Sequence, residues 1–258
     1  MKDLDIKEIS ERYRMTCDLH SHTVHSKGYG YKHGKGTITE NARAAEALGI
    51  YEIAITDHGP GHKFYGLDLR EIPEMRAEIE EAAKSCPVKI NLGVEANIID
   101  TPNGLDVKPD EMGLFDFIIA GYHYGLPRGH MIANQICSKI GYPSGSKERL
   151  RNKNTDMTLR ALYENDVKII THPCDKGPFD VRAISKACEE TDTLMEINTR
   201  HTHLTVPEIK IAAEYDVQFI IDCDAHKPCE IGRFEKGLMR AFEAGLDISR
   251  IVNIEERK

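Results

Sequence analysis

With 258 residues, 40% of them hydrophobic and 29% charged, the chain has the size and composition of a globular protein able to bury one large α/β core. A formal net charge of −8 excludes a surface built for broad, sequence-independent nucleic-acid binding, which needs basic groups to displace phosphate counterions. No run of about 18 apolar residues could cross a bilayer, and the mixed-charge start MKDLDIKEIS has no apolar signal core, so the expectation is a cytoplasmic protein without a membrane partner.

Seven short apolar runs follow one another along the chain, and each reads as a buried parallel strand. MTCDLH (15–20) comes first and leads into the HxH of His20 and His22. A polar, Gly- and Lys-rich loop (26–36, SKGYGYKHGKG) carries His33 and enters a helix at ITENARAAEALG. EIAITDH (52–58) ends in His58, and REIPEMRAEIEEAAKS reads as the next helix. VKINLGVEAN (88–97) contains Glu95, and FDFIIAGYH (115–123) ends in His123. Residues 124–155, with YGLPRGHMIANQ and YPSGSKERLRNKNTD, interrupt the repeat and read as an inserted loop region over the site. VKIITHP (167–173) carries His172, TLMEINT (193–199) is followed by Arg200, and VQFIIDCDAH (217–226) closes on Asp224 and His226. Helical periodicity in DVRAISKACEE, VPEIKIAAEY and RFEKGLMRAFEAG fills the later gaps.

Alternation of this kind predicts an α/β barrel or a doubly wound sheet, and the missing Gly-rich turn after the first strand lowers the second. No linker composition divides the chain, so residues 1–258 are read as one domain. The seven cysteines form no CxxC and are odd in number, which predicts buried thiols and neither disulfides nor a thiolate metal site.

Parallel barrels open all strand C-termini onto one face. Histidines and carboxylates at the ends of six of the seven runs should therefore converge. Residues two apart on a strand face the same side, so His20 and His22 can share an ion, and Asp224 with His226 repeats the spacing. Nitrogen and oxygen donors of this mix suit zinc, manganese or iron. Adjacent ions polarise a phosphoryl group and bring bound water toward neutrality, which predicts phosphoester hydrolysis by metal-activated hydroxide. Glu95, with two oxygens, is the natural bridge. Asp18 and Asp57 each precede a ligand and face the other way, as partners behind the imidazoles or as solvated strand ends. His25, His62, His130, His201 and His203 fall in loops and are not expected to touch metal or substrate.

The blocks DLHSHT, ITDHGP, GVEAN, IIAGYH, THP, MEIN and DAH, in that order, resemble the polymerase and histidinol phosphatase (PHP) family, closest to its small stand-alone phosphoesterases. The resemblance implies a distorted, TIM-like (β/α)7 barrel and a centre of three divalent or trivalent ions. It implies that His20, His22, Glu95 and Asp224 hold one ion, that Glu95, His123 and His172 hold a second, and that His33, His58 and His226 hold a third. His33 is preferred to His25 because the GTITENA after it matches the family's entry to the first helix. Turnover of a small phosphorylated substrate is expected to depend on Glu95, Asp224, His58 and Arg200. Arg200 is the first choice for a phosphate clamp, ahead of Lys63, Arg128 and Lys35. Three other readings compete: an amidohydrolase, which lacks here a lysine after the fourth run; a nuclease-like trimming enzyme; and a non-catalytic metal-binding module, which would have lost ligands.

Overall fold

The computed structural model describes residues 5–27 and 32–257, so positions 28–31 of the expected glycine-rich loop lie outside the described residues. The chain runs α1 (Ile6–Arg12), β1 (Tyr13–Met15), β2 (Cys17–Ser21), α2 (Ile38–Ala47), β3 (Glu52–Ile55), α3 (Ile72–Ala83), β4 (Lys89–Asn97) and β5 (Phe117–Gly121). It continues through α4 (Met131–Ile140), α5 (Ser146–Glu164), β6 (Val167–Ile170), α6 (Val181–Glu190), β7 (Leu194–Glu196), α7 (Val206–Ala212), β8 (Phe219–Ile220), α8 (Glu235–Ala244) and β9 (Ile254–Glu256).

Strands β2 to β8 form one parallel seven-stranded sheet in sequence order, the arrangement of a distorted (β/α)7 barrel. The first run splits in the structure: Met15 belongs to β1, which pairs antiparallel with β9 in a second, two-stranded sheet. The last strands are short: Glu196 and Ile220 end their ladders, and Arg200, Asp224 and His226 follow in the segments beyond them.

Closure between β2 and the segment after β8 needs side chains as well as backbone. A parallel bridge joins Ser21 to Ala225, and Ala225 O accepts from His22 N at 2.8 Å. Below it the two strands diverge, and carboxylates fill the gap: Asp222 accepts from Leu19 N at 2.8 Å, and Asp18 accepts from Cys223 N at 3.2 Å and Gly232 N at 3.1 Å. Asn253 adds donors to Cys17 O and Ile221 O at 2.8 and 2.7 Å. Buried backbone groups left unpaired are costly, which explains polar residues at such positions. Asp18 is thus a seam residue.

Leu19, Ala54, Ile119, Ile169 and Ile220 meet inside the barrel, one from each of five strands, as the packed interior of such a fold requires. The larger apolar cluster lies outside the sheet, where Ile38, Met75, Met157, Ile184, Ile209 and Leu238 bring α2, α3, α5, α6, α7 and α8 against it. Thr37 with Glu40 makes a capping box that starts α2 directly after the loop holding His33.

Residues 124–155 contain α4 and the first ten residues of α5, so much of the expected loop is helical. The buried face of α5 includes Asn154, Thr155 and Thr158. Asn154 and Asn134 of α4 exchange amide hydrogen bonds at 3.0 Å each way. Polar residues on a helix's inner face conceal its period from hydrophobicity alone. Four of the seven cysteines are buried, Cys229 is exposed, and all are free thiols. Among the described residues no helix is long and apolar enough to cross a membrane.

Candidate metal centre

Glu95 lies fully buried near the end of β4, with histidines from four other chain segments around its two oxygens. Oε1 stands 3.3 Å from His20 Nε2, 3.3 Å from His123 Nε2 and 2.9 Å from His172 Nε2. Oε2 stands 2.9 Å from His58 Nδ1 and 3.6 Å from His22 Nε2. Asp224 forms the second pole: its Oδ1 is 3.1 Å from His22 Nε2, 3.7 Å from His20 Nε2 and 3.3 Å from His226 Nδ1. The ring of His33 lies 4.2 Å from that of His226 and 5.2 Å from that of His58. All nine side chains proposed from the sequence therefore gather in one place.

Local backbone features aim them. The β2–β3 ladder slips between Asp18 and Ser21, a bulge that re-aims the side chains at the strand end. His172 and Asp224 both have left-handed backbone, φ +27° and +50°, a conformation that non-glycine residues adopt at a cost of about 1–3 kcal/mol and that concentrates at functional sites. A side chain at Gly121 would put its Cβ 2.8 Å from Glu95 Oε1, so only glycine lets β5 approach the central carboxylate.

A second layer orients the rings. Glu196 accepts from His20 Nδ1 at 2.7 Å and from His172 N at 2.5 Å, which turns His20 Nε2 toward Glu95. Asn97 Oδ1 holds His123 Nδ1 at 2.8 Å, and Asp106 in turn anchors Asn97. The Asp57 carboxylate accepts from Thr23 N, Thr23 Oγ1 and Ser26 Oγ at 2.6–2.7 Å and ties down the loop after β2, while its backbone carbonyl accepts from Glu95 N at 3.1 Å.

The inner atoms are matched for cations. His20 Nε2, His22 Nδ1, both ring nitrogens of His58, His172 Nδ1, His226 Nε2 and Glu95 Oε2 are buried without a hydrogen-bond partner. His58 Nδ1 and Glu95 Oε2 approach to 2.9 Å without hydrogen-bond geometry, as two donors converging on a common ion do. Unpaired buried polar atoms are rare and costly, and seven in one cluster fit a multinuclear metal site. Burial drives His58 well below its ordinary pKa, His172 to about 4 and His226 to about 2, so these rings are neutral and able to ligate. Burial alone would raise Glu95, but His123, His20 and His58 outweigh it and hold the carboxyl well below its usual value.

Sequence reasoning passed over several neighbours. His201, expected to be an uninvolved loop residue, reaches Asp224 Oδ2 at 3.2 Å and Asp175 Oδ2 at 3.0 Å, and with His172 and Asp224 it forms a further group of converging ligand atoms. Lys176 pairs with Asp175 at 3.0 Å beside it. His62 Nε2 donates to Tyr124 O at 2.8 Å, because a carbonyl oxygen can only accept, which fixes the tautomer. Glu196 left one signal, a lone acid inside the apolar run TLMEINT; His201 left none. Arg200 lies at the mouth, 3.4 Å from Glu230, which itself accepts from His226 N at 2.9 Å. Lys63 and Arg128 line a cavity beyond His62, and Lys35 Nζ donates to Lys32 O at 2.6 Å.

Imidazoles and carboxylates gathered at the C-terminal mouth of a parallel barrel define a metal-dependent hydrolase. The chain belongs to the PHP family: the model of the PHP domain matches residues 18–217. It is 30% identical to a protein named "Probable phosphatase" from Thermoanaerobacter sp. (strain X514), over 95% of this chain and 93% of that one. It is 31% identical to another of the same name from Caldanaerobacter subterraneus subsp. tengcongensis, over 94% and 88%. Its fold matches a histidinol phosphate phosphatase from Lactococcus lactis, solved with zinc, L-histidinol and phosphate, with a TM-score of 0.59, 18% identity, and 90% and 95% of the two chains covered. The protein is a metal-dependent phosphoric ester hydrolase of this family.

Proposed function

We propose that the chain hydrolyses a small phosphorylated compound at a three-ion site. The observation that carries this reading is the convergence of unpaired ring nitrogens and carboxylate oxygens on Glu95. We assign His20, His22, Glu95 and Asp224 to one ion, Glu95, His123 and His172 to a second, and His33, His58 and His226 to a third. Bound zinc, manganese or iron supplies Lewis acidity toward the phosphoryl group and acidifies water.

The protein's own part is placement and charge. Glu95 turns one oxygen toward each side of the cluster, and its ionised carboxylate would offset part of the charge of the ions it would hold. Glu196 and Asn97 fix His20 and His123 in the tautomers that turn Nε2 inward. Arg200, half-exposed beside Glu230, presents a guanidinium at the entrance for the substrate's phosphate oxygens. The amidohydrolase reading has less support, since Glu95, with histidine nitrogens around both its oxygens, could bridge ions without a modified lysine.

Elemental analysis of the purified protein should give about three metal equivalents, and manganese- or zinc-loaded enzyme should hydrolyse members of a panel of phosphomonoesters, histidinol phosphate among them, and no amide. His58→Ala should remove one equivalent and most turnover. Full turnover in that variant, or activity on amides alone, sinks the reading.

A further inference from the structure

Beyond the metal centre, the β5–α4 connection and the loop after β3 enclose an open cavity of about 610 Å³, a volume suited to a small organic ligand. Its walls are apolar at Leu126, Pro127 and Ile132, and its polar heads come from Lys63, Arg128 and His130. Among the described residues no carboxylate lines it, although the chain carries 42 acidic against 34 basic residues. Neither Lys63 nor Arg128 makes an ion pair among the described residues, whereas Lys27, Lys89, Arg76 and Arg160 each pair with an acid.

The cavity adjoins the metal centre. Lys63 follows His62, whose ring lies 6.2 Å from that of His58. Gly125, on the cavity wall, is two residues past His123, and a Cβ there would stand 2.7 Å from His62 Nε2. The wall is also built. Leu126 is only 2% exposed, Asp100 N donates to Arg128 O at 2.7 Å, and Tyr122 Oη donates to Gly129 O. A substrate whose phosphate reaches the ions would extend its organic part past His62 into this space.

We propose that this cavity is the leaving-group site and selects phosphoesters whose organic part carries a second anionic group. The apolar walls take the body of the leaving group, and Lys63 and Arg128 meet its distal anion, a carboxylate or a second phosphate. The proposal rests on the three-ion phosphoesterase reading. It adds to that reading a charge preference at the far end of the substrate, which the metal ligands themselves do not impose.

The test is a matched aromatic series with manganese-loaded, full-length enzyme: phenyl phosphate, 4-carboxyphenyl phosphate, benzene-1,4-diyl bisphosphate and 4-(trimethylammonio)phenyl phosphate. The wild type should favour one or both anionic esters over phenyl phosphate by about 10- to 100-fold in kcat/KM, the range for charge-assisted contacts. Whichever of the two is favoured identifies carboxylate or phosphate as the distal group. The double variant Lys63→Ala/Arg128→Ala should lose that preference, chiefly in KM, while phenyl phosphate turnover and the melting temperature hold. Arg128→Glu should shift preference toward the trimethylammonio ester. Hydrolysis of all four esters at equal kcat/KM by the wild type, or a preference kept by the double variant, overturns the proposal and leaves the phosphoesterase reading standing. Failure to hydrolyse any of the four with ions bound overturns both.

Discussion

The two sides of the cluster are built differently. Around Glu95, the candidate ligands His20, His123, His172 and Asp224 sit in β2 or a few residues past the ends of β5, β6 and β8, are almost wholly buried, and have named partners: Glu196 at His20 and at His172 N, Asn97 at His123, and His201 at Asp224. On the other side His33 comes from a loop, is half-buried, and is positioned by two backbone bonds, His33 N to Ser26 O at 2.9 Å and Lys35 N to His226 O at 2.8 Å, together with ring stacking. Strand-borne ligands inherit the rigidity of the barrel, and a loop-borne ligand must be held by whatever packs on it. The first side should therefore keep its ions through insults that empty the second.

The largest effect should come from the centre. Glu95→Gln keeps the shape but removes the charge and one shared oxygen, so it should cost at least two metal equivalents and about a thousandfold or more in kcat. Elemental analysis and steady-state assay on the same preparation check this. A variant that keeps three equivalents would show that the cluster does not depend on Glu95, and would dissolve the contrast between the two sides. Next in size is Glu196→Gln, which leaves a hydrogen-bond acceptor for His20 but no anion behind it. Metal affinity on the strand-borne side should fall by about 10- to 100-fold, as for other partners behind metal-bound histidines. Competition against a fluorescent chelator measures it, and an unchanged affinity would mean that Glu196 serves only the backbone of His172.

This contrast also decides what the sequence could reveal. The strand-borne ligands were legible because a chemically conspicuous residue at the end of an apolar run has only one place to go in a parallel barrel. Glu196 stands within MEIN without a legible role, since a single acid in a strand does not say which imidazole it will meet. His201 reaches Asp224 only through the path of the loop after β7, and loop paths are not written in periodicity. The first half of α5 reads as loop for a different reason: the helix buries Asn154, Thr155 and Thr158 beside its few apolar residues, so polarity and burial part company. The β1–β9 pair was invisible because three residues near each end of the chain pair across the whole sequence.

The smallest effect concerns Tyr65, which no motif singled out. Its ring stacks on His33 at 4.2 Å with planes 13° apart and on His62 at 3.5 Å with planes 20° apart, and His62 is anchored to Tyr124 O. Tyr65 thus links the segment after β5 to the candidate ligand carried by the loop before α2. Tyr65→Ala should weaken retention of a single ion by about tenfold, within the range for groups that support metal ligands, and leave the other two in place. Tyr65→Phe keeps the stacking face and should behave as wild type. Stepwise chelation followed by elemental analysis separates the outcomes. If Tyr65→Ala released all three ions together, the two sides would act as one unit, and the loop would be as much a part of the rigid centre as the strands.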